Sequence, residues 1–337
     1  MKFTLTVVLL ISFSISVMAQ ESTIRVRTFK DLEQFPIIQN AQVKNVSGWA
    51  WSAEGQNLRF QNKKISAKNY IIKKQNEKYD LISVVDFDAY VAGVVSKEMP
   101  LSWPLEALKA QAVIARSYAL AKISERKNKI FHLDSNQMDQ VFEVTDSDKA
   151  KLAVFLTDQV VLKDRRARVL KAYYHADCGG QTIPASKVWT GALDTGTATD
   201  PWCQQRKSNE WSFEIPKSKF YSQLKVSTPL QIGEKFQDRI STWSTLDQIF
   251  SVQKMRQLFG FSQIRNAPLL YFETDDVVVL TGKGFGHGAG LCQWGAQAQA
   301  RIGRSYAQIL SHYYPEAQQM RNTLKLSKSF LSDLVFN

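Results

Sequence analysis

The chain has few cysteines and histidines, and their spacing matches none of the common metal-binding motifs. Its 337 residues include three cysteines, Cys178, Cys203 and Cys292, and four histidines. Because no Cys-x-x-Cys or His-Glu-x-x-His pattern is present, neither a zinc ribbon nor a zinc protease is indicated. Three cysteines form at most one disulfide, which excludes a disulfide scaffold. The sequence leaves open whether they form a disulfide, bind zinc or stay free, and we predict no metal and no cofactor.

Nucleotide and nucleic-acid motifs are absent as well. The glycine-rich segment 282–295 lacks the Gly-Lys-Ser/Thr ending of a phosphate-binding loop and is not a dinucleotide fingerprint. The chain carries 43 Lys and Arg against 31 Asp and Glu, a formal net charge of +12. A basic protein is attracted to anionic surfaces and polymers. Without a nucleic-acid-binding motif, we expect a membrane surface or a carboxylate-bearing polymer rather than nucleic acid.

Long apolar runs are missing beyond the N-terminus, and the first residues are typical of a secretory signal peptide. Met1-Lys2 supplies a positive start, an uncharged stretch follows to Met18, and Ala19 ends a small-residue cleavage pattern. This stretch is too short to span a bilayer comfortably, which takes ~20 apolar residues. We therefore predict a removed signal peptide over 1–19, export of the chain and no stable membrane anchor.

Apolar patterning predicts an α+β fold, because strands and helices do not alternate regularly. Short apolar runs between 41 and 85 are typical of strands, and the pattern is interpreted as continuing through Tyr90–Val95, so that Glu98 would follow a strand. The Ala-rich segment 102–123, with Ser102 as its cap, predicts a long buried helix. Further predictions are a helix at 148–162, a strand at 168–175, a hairpin at 269–281 and helices at 293–301 and 305–313.

The same patterning predicts the domain organisation. After the signal peptide, residues 20–40 are expected to be a loosely structured lead-in segment. Residues 41–320 are expected to form one large domain of mixed β-sheet lobes, one or two in number. The predicted tail covers 321–337.

Glu98 lies in the first of three stretches whose residue types indicate chemistry. It precedes Met99 and Trp103, and a carboxyl group beside apolar side chains has a raised pKa. Such a group suits the general acid of glycoside cleavage, although an ordinary surface glutamate fits the residues too. Arg116, in an apparently buried helix, needs an anionic partner, which is either a substrate or an internal carboxylate.

The second and third stretches are glycine-containing turns that carry histidines. Residues 173–182 contain a glycine pair, which marks a tight turn and either presents N–H groups to a ligand or simply reverses the chain. Residues 282–295 hold six glycines around His287, a pattern that lets the backbone fold closely around a ligand. A Cys–His nucleophilic site also stays open. It would combine Cys178 or Cys292 with His175 or His287.

Taken in order across residues 80–315, these stretches resemble the SpoIID family, the bacterial stage II sporulation protein D and amidase-enhancer proteins. Relatives that bind zinc have His and Cys just after the first long helix, whereas residues 132–142 here contain no cysteine. The matching motifs are Val94–Pro100, Trp103–Val113, Ala115–Ala119, Tyr174-His175, Cys178–Thr182, Gly284–Gly288, Gln293–Ala296 and Ile309–Pro315.

The resemblance implies a peptidoglycan lytic transglycosylase in the periplasm or cell wall. Glu98, in the Glu-Met-Pro motif, would act first as acid and then as base, producing 1,6-anhydro-MurNAc ends on strands stripped of peptides. The alternative implied by the family is a non-enzymatic wall-binding enhancer of a peptidoglycan amidase. Substrate-binding residues are expected at Arg116, Tyr118, His175, Gln181, His287 and Gln293.

Overall fold

The computed structural model describes residues 23–55, 58–61, 63–65, 67, 69–136, 139–204 and 209–322. The predicted signal peptide lies outside the described residues, as does the predicted tail beyond Asn322. Within the described ranges, no helix is both long enough and apolar enough to cross a membrane. Several small sheets and eight α-helices form an α+β fold in this part of the chain, as predicted.

A six-stranded sheet is built from the N-terminal third of the chain. Its strand order is β2-β3-β6-β7-β1-β8, antiparallel except where β1 and β8 meet. A separate short hairpin, β4-β5, follows β3 in the chain. These strands are β1 Thr23–Leu32, β2 Gln42–Ser47, β3 Ala50–Glu54, β4 Arg59–Phe60, β5 Lys63–Lys64, β6 Asn69–Gln75, β7 Lys78–Asp86 and β8 Leu133–Asp134.

The lead-in segment predicted over 20–40 is wrong where β1 lies. Ile24 and Val26 are fully buried and pair with the central strand β7. The alternation of apolar and charged residues in Thr23–Arg27 is the period-two signal of a half-buried strand. The sheet therefore begins upstream of residue 41.

The strand predicted at Tyr90–Val95 is also wrong, because helix α1 covers Phe87–Glu98. Asp86 caps this helix, since its side chain accepts a hydrogen bond from the N–H of Ala89 at 2.9 Å. A continuous apolar run cannot by itself distinguish a buried strand from a buried helix. Glu98 consequently ends a helix.

Helix α2, Leu105–Glu125, confirms the predicted long helix and forms the centre of the core. Fourteen of its 21 residues are buried, so it has hardly any solvent-facing side. Its N-cap is Pro104, without a side-chain cap, so Ser102 does not have the predicted capping role. Helix α3, Asp148–Phe155, is shorter than predicted, because the chain turns into a strand at Val160.

Residues 211–280 enclose a second apolar cluster, which includes Phe220, Trp243 and Met255. The hairpin predicted at 269–281 and the two final helices are confirmed. The strand predicted at 168–175 is restricted to its last two residues. The remaining elements are β9 Val160–Lys163, β10 Tyr174–His175, a 3₁₀ turn Ala185–Lys187, α4 Pro201–Gln204, β11 Glu210–Pro216, α5 Lys217–Leu224, β12 Gln231–Ile232, β13 Lys235–Phe236, β14 Arg239–Ile240, β15 Thr242–Ser244, β16 Ile249–Ser251, α6 Val252–Phe259, β17 Leu270–Glu273, β18 Val277–Lys283, β19 Leu291–Cys292, α7 Gln293–Arg301, α8 Tyr306–Tyr313 and β20 Gln318–Arg321.

Candidate active site

A cleft of about 2060 Å³ lies between the six-stranded sheet, the C-terminal half of α2 and the segments around β10 and residues 285–287. The carboxyl groups of Glu54, Glu98, Glu125, Asp139 and Asp164 line its walls, and so do basic side chains. Among them are Arg25, Lys122, Lys127, Arg168, Lys171 and Arg256.

Glu98 lies in this cleft, half-buried, as the last residue of α1. The backbone N–H of Val141 donates to its Oε1 at 3.1 Å. The hydroxyl of Tyr174 and the side-chain amide of Gln293 lie beside the same carboxyl group. Helix α1, the loop at 141, β10 and α7 therefore fix the position of one carboxyl group.

The surroundings of Glu98 favour its protonated form. Burial raises the pKa of Glu98, and the Val141 N–H with the neighbouring polar groups of Tyr174 and Gln293 only partly opposes that rise. The C-terminal end of a helix carries partial negative charge, which acts in the same direction. In the described part of the chain, no Lys, Arg or His side chain forms an ion pair with Glu98. A protonated carboxyl group in an open cleft can donate a proton to a ligand.

Asp139 is a second carboxylate in the cleft, and sequence patterning did not identify it. Burial alone would raise the pKa of Asp139, but hydrogen bonds from Lys122, from the N–H of Asp134 and from Tyr118 hold it below its usual value. The Lys122 Nζ lies 2.7 Å and the Tyr118 hydroxyl 3.0 Å from Oδ1. The two cleft carboxyl groups thus have opposite pKa shifts. The 41-residue separation of Asp139 from Glu98 gives no sequence signal for this arrangement.

Aromatic rings form one wall of the cleft. Tyr173 and Trp189 stack with ring centroids 4.3 Å apart and an interplanar angle of 19°. His287 meets the edge of Trp189 at 4.7 Å, and Tyr118 lies 6.1 Å from Tyr173. Flat apolar faces with polar rims are surfaces on which sugar rings pack well. Trp189 was not among the predicted site residues.

The two predicted cleft histidines are held in neutral forms. Burial lowers the pKa of His175 to about 4 and the pKa of His287 well below its usual value. His175 Nδ1 lies 3.0 Å from the carbonyl oxygen of Ala289, while the N–H of Ala289 donates to His287 Nδ1 at 3.1 Å. Since that N–H needs an acceptor, His287 carries its proton on Nε2. These rings can hydrogen-bond a neutral polar ligand.

Arg116 is placed differently from its prediction, because it does not line the cleft. Its guanidinium is buried and donates to the backbone carbonyls of Thr157 at 2.9 Å and Val160 at 3.1 Å, beyond the end of α3. A weak ion pair with Asp88, at 4.0 Å, is its acidic contact. Arg116 therefore satisfies orphan carbonyls and holds α3 against α2.

The structure brings most of the other predicted residues together. Tyr118, His175, His287 and Gln293 line the cleft with Glu98. Gln181 does not: its side chain accepts a hydrogen bond from Thr199 away from the cleft. The Cys–His alternative is not supported, because the described lining contains no cysteine and all three thiols are fully buried.

Comparisons with known proteins identify relatives across most of the chain. A SpoIID family model, described as stage II sporulation protein, matches residues 75–163. Stage II sporulation protein D of Bacillus amyloliquefaciens is 27% identical over 260 residues, covering 68% of this chain and 73% of that protein. An uncharacterized protein of Brachyspira hyodysenteriae is 29% identical over 262 residues, covering 71% and 68%. An amidase enhancer of Bacillus subtilis is 25% identical over 281 residues, covering 66% of this chain and 39% of that protein.

Replacing Arg116 by Ala tests its structural role. The variant leaves buried carbonyl groups without donors, so we expect the free energy of unfolding to fall by roughly 3 kcal/mol while substrate affinity of the folded fraction stays unchanged. Urea denaturation and binding measurements below the unfolding transition check this. Arg165→Ala, at a side chain that is 79% exposed, is the matched control and should change neither. Weaker binding with unaltered stability would contradict the structural role.

Proposed function

The chain belongs to the SpoIID family, and we propose that it is an exported lytic transglycosylase that cuts the glycan strands of peptidoglycan. The observation that carries this proposal is the environment of Glu98. A half-buried carboxyl group with a raised pKa stands in a large cleft lined by basic and aromatic side chains. That combination suits general acid catalysis on a long anionic saccharide.

The proposed reaction uses one carboxyl group twice. Glu98 gives its proton to the glycosidic oxygen, and the bond between that oxygen and C1 of N-acetylmuramic acid breaks. The Glu98 carboxylate then takes the proton of the C6 hydroxyl. At the same time, the C6 oxygen bonds to C1 and closes the 1,6-anhydro ring. Glu98 ends protonated, and no water is consumed. The Val141 N–H, 3.1 Å from Oε1, stabilises the intermediate carboxylate.

Asp139 acts in this proposal as a positioning residue. Its carboxylate is 8% exposed and already accepts hydrogen bonds from Lys122, Tyr118 and Asp134. Little of it remains to contact a sugar. It orients the Tyr118 hydroxyl and the Lys122 ammonium group on the cleft wall, close to the reacting end of α1.

The proposal includes a preference for strands stripped of peptides. An amidase that removes the stem peptides leaves a free carboxylate on the lactyl group of each N-acetylmuramic acid. Such a strand is a polyanion, and on the cleft lining it would meet Lys127 and the ion pairs Lys122–Asp139, Arg168–Asp164 and Lys171–Glu125. The stacked rings of Tyr173 and Trp189 would support the sugar faces.

The second candidate function is a wall-binding enhancer of a peptidoglycan amidase. The relative named amidase enhancer favours it. The same cleft would then bind glycan without cutting it. This candidate predicts co-sedimentation with sacculi, an effect only in the presence of an amidase, and no dependence of that effect on the proton of Glu98.

Glu98→Gln tests the proton donor. The amide preserves the shape of the side chain but cannot donate the proton, so we expect release of anhydro-sugar products to fall by about 10²–10⁴-fold with the melting temperature retained. Mass spectrometry of soluble products from intact and amidase-stripped sacculi measures this. Glu143→Gln, at an exposed carboxylate paired with Lys97, is the matched control and should remain active. Equal product from Glu98→Gln and the original chain would exclude the mechanism.

The pH profile tests the environment of Glu98. Activity requires the protonated acid, so kcat/KM should fall as pH rises through the pKa of Glu98. The Tyr174 hydroxyl stabilises the carboxylate, so Tyr174→Phe should raise that pKa and move the alkaline limb to higher pH. Tyr173→Phe is the control, because Tyr173 is not among the partners of Glu98. A shift to lower pH, or no shift, would count against the assignment of Glu98 as the acid.

Trp189→Ala tests the aromatic wall. Loss of a stacked ring worth about 1 kcal/mol should raise KM roughly five- to tenfold, with kcat little changed. Steady-state kinetics on glycan strands stripped of peptides measure the separate effects on KM and kcat. Phe155→Ala, at a ring that is 75% exposed on α3 outside the cleft, should leave both constants unchanged. A loss confined to kcat would mean that Trp189 does not bind substrate.

A further inference from the structure

Three cysteines and an aspartate converge behind the cleft. One ligand atom each from Cys178, Asp200, Cys203 and Cys292 lies within 4.8 Å of the others. All four residues have no solvent exposure, and the cysteines are free thiols. Around a tetrahedral zinc ion with bonds of ~2.3 Å, thiolate sulfurs stand about 3.8 Å apart. The four groups therefore need only small shifts to close on one ion.

The four groups come from three separate parts of the fold. Cys178 begins the turn after β10, Asp200 and Cys203 lie at the start of and within α4, and Cys292 is the N-cap of α7. The sequence spacing of these residues matches no zinc motif, which explains why patterning left the state of the cysteines open. Only the fold brings them together.

Backbone N–H groups donate to one of the three sulfur atoms. The N–H groups of Cys178 and Gly295 point to Cys292 Sγ at 3.3 and 3.4 Å. Because Cys292 caps α7, the positive end of that helix faces its sulfur. Metal-bound thiolates in proteins are stabilised by N–H donors of this kind.

Asp200 is a buried carboxylate that lacks a counter-charge. Its Oδ2 accepts a hydrogen bond from the Tyr313 hydroxyl at 2.6 Å, and its Oδ1 accepts one from the N–H of Cys203 at 2.9 Å. Across the described ranges, no Lys, Arg or His side chain forms an ion pair with it. A buried charge is costly unless it is paired or coordinates a metal, and a divalent cation at the thiols would supply the missing charge.

The backbone leaves room for this carboxylate and for little else. A Cβ on Gly295 would overlap both the carboxylate of Asp200 and the Tyr313 hydroxyl. The first turn of α7 is thereby pressed against the Asp200 side chain. Gly295 and the Tyr313 hydroxyl therefore hold the Asp200 carboxylate against the sulfur cluster from two sides. Residues that hydrogen-bond to metal ligands commonly fix the orientation of those ligands in this way.

We propose that Cys178, Asp200, Cys203 and Cys292 bind a single zinc ion in a closed structural site. Three soft sulfur ligands select zinc over magnesium or calcium, and four protein ligands leave no open position for catalysis. None of the four lines the cleft. The ion would cross-link β10, α4 and α7, and β10 and α7 carry Tyr174 and Gln293 to Glu98. This inference does not depend on the transglycosylase activity.

Metal content and thiol state of the untagged mature chain, purified without chelator from zinc-containing medium, test the proposal. We expect a single zinc ion per chain by inductively coupled plasma mass spectrometry, released as a mercurial reagent titrates three thiols. Cobalt in place of zinc should give the sulfur-to-metal charge-transfer absorption and intense visible bands of a tetrahedral thiolate site. These measurements use the chain without substitutions, so they do not depend on whether a variant folds.

Variants then assign the ligands. Cys203→Ser and Asp200→Asn should lose the zinc, whereas Asp194→Asn, the same change at an exposed carboxylate that accepts hydrogen bonds from Ser186, should keep it. Tyr313→Phe removes the partner of Asp200 and should weaken zinc affinity about 10–100-fold. Purified chain with no zinc and one disulfide, or with no zinc and three free thiols after zinc addition, would overturn the proposal.

Discussion

The site depends on a short pairing between two distant parts of the chain. Strand β10 runs parallel to β19, with Tyr174 opposite Leu291 and His175 opposite Cys292. A bridge between Asp177 and Phe285 extends this contact into the glycine-rich segment. The close approach requires glycine: a Cβ on Gly290, which has a φ of 71°, would overlap the carbonyl of Tyr173. This pairing carries Tyr174 and the start of α7 to Glu98, so the acid group is completed from residues far along the chain.

A cationic neighbour distinguishes the two carboxyl groups of the cleft. Burial raises the pKa of Glu98, which stands at the negative end of α1. Asp139 is also enclosed, but it contacts the Lys122 ammonium group, and the pKa of Asp139 is lowered. Two groups of the same chemistry therefore have opposite pKa shifts. The proposed mechanism needs this division, because one group must hold a proton while its neighbour keeps a cationic side chain in place.

The sequence correctly predicted the direction of the pKa shift of Glu98, but it wrongly predicted the secondary structure that leads to this residue. Its apolar neighbours correctly indicated a raised pKa, yet the uninterrupted apolar run before it is compatible with either a buried strand or a buried helix, and the helix formed. Arg116 was correctly predicted to be buried, but the predicted anionic partner is replaced mainly by backbone carbonyls beyond α3, which side-chain patterning cannot show. Asp139 and Trp189 were missed because their roles arise from long-range packing. In each case, the spacing of apolar residues in the sequence predicted whether a residue is buried. Tertiary contacts decided which groups that residue contacts.

The β10–β19 pairing is short, so a buried cross-link beside it would stabilise it. A ladder of two residues on each strand contributes little stability by itself, and the connection that follows β10 contains few regular elements before β11. Cys178 follows the ladder on one side and Cys292 is its last residue on the other, while Asp200 and Cys203 belong to that connection. One zinc ion bound by these four residues would hold the connection and the ladder together. Because none of the four lines the cleft, the ion would leave the stacked rings of Tyr173 and Trp189 free for a ligand.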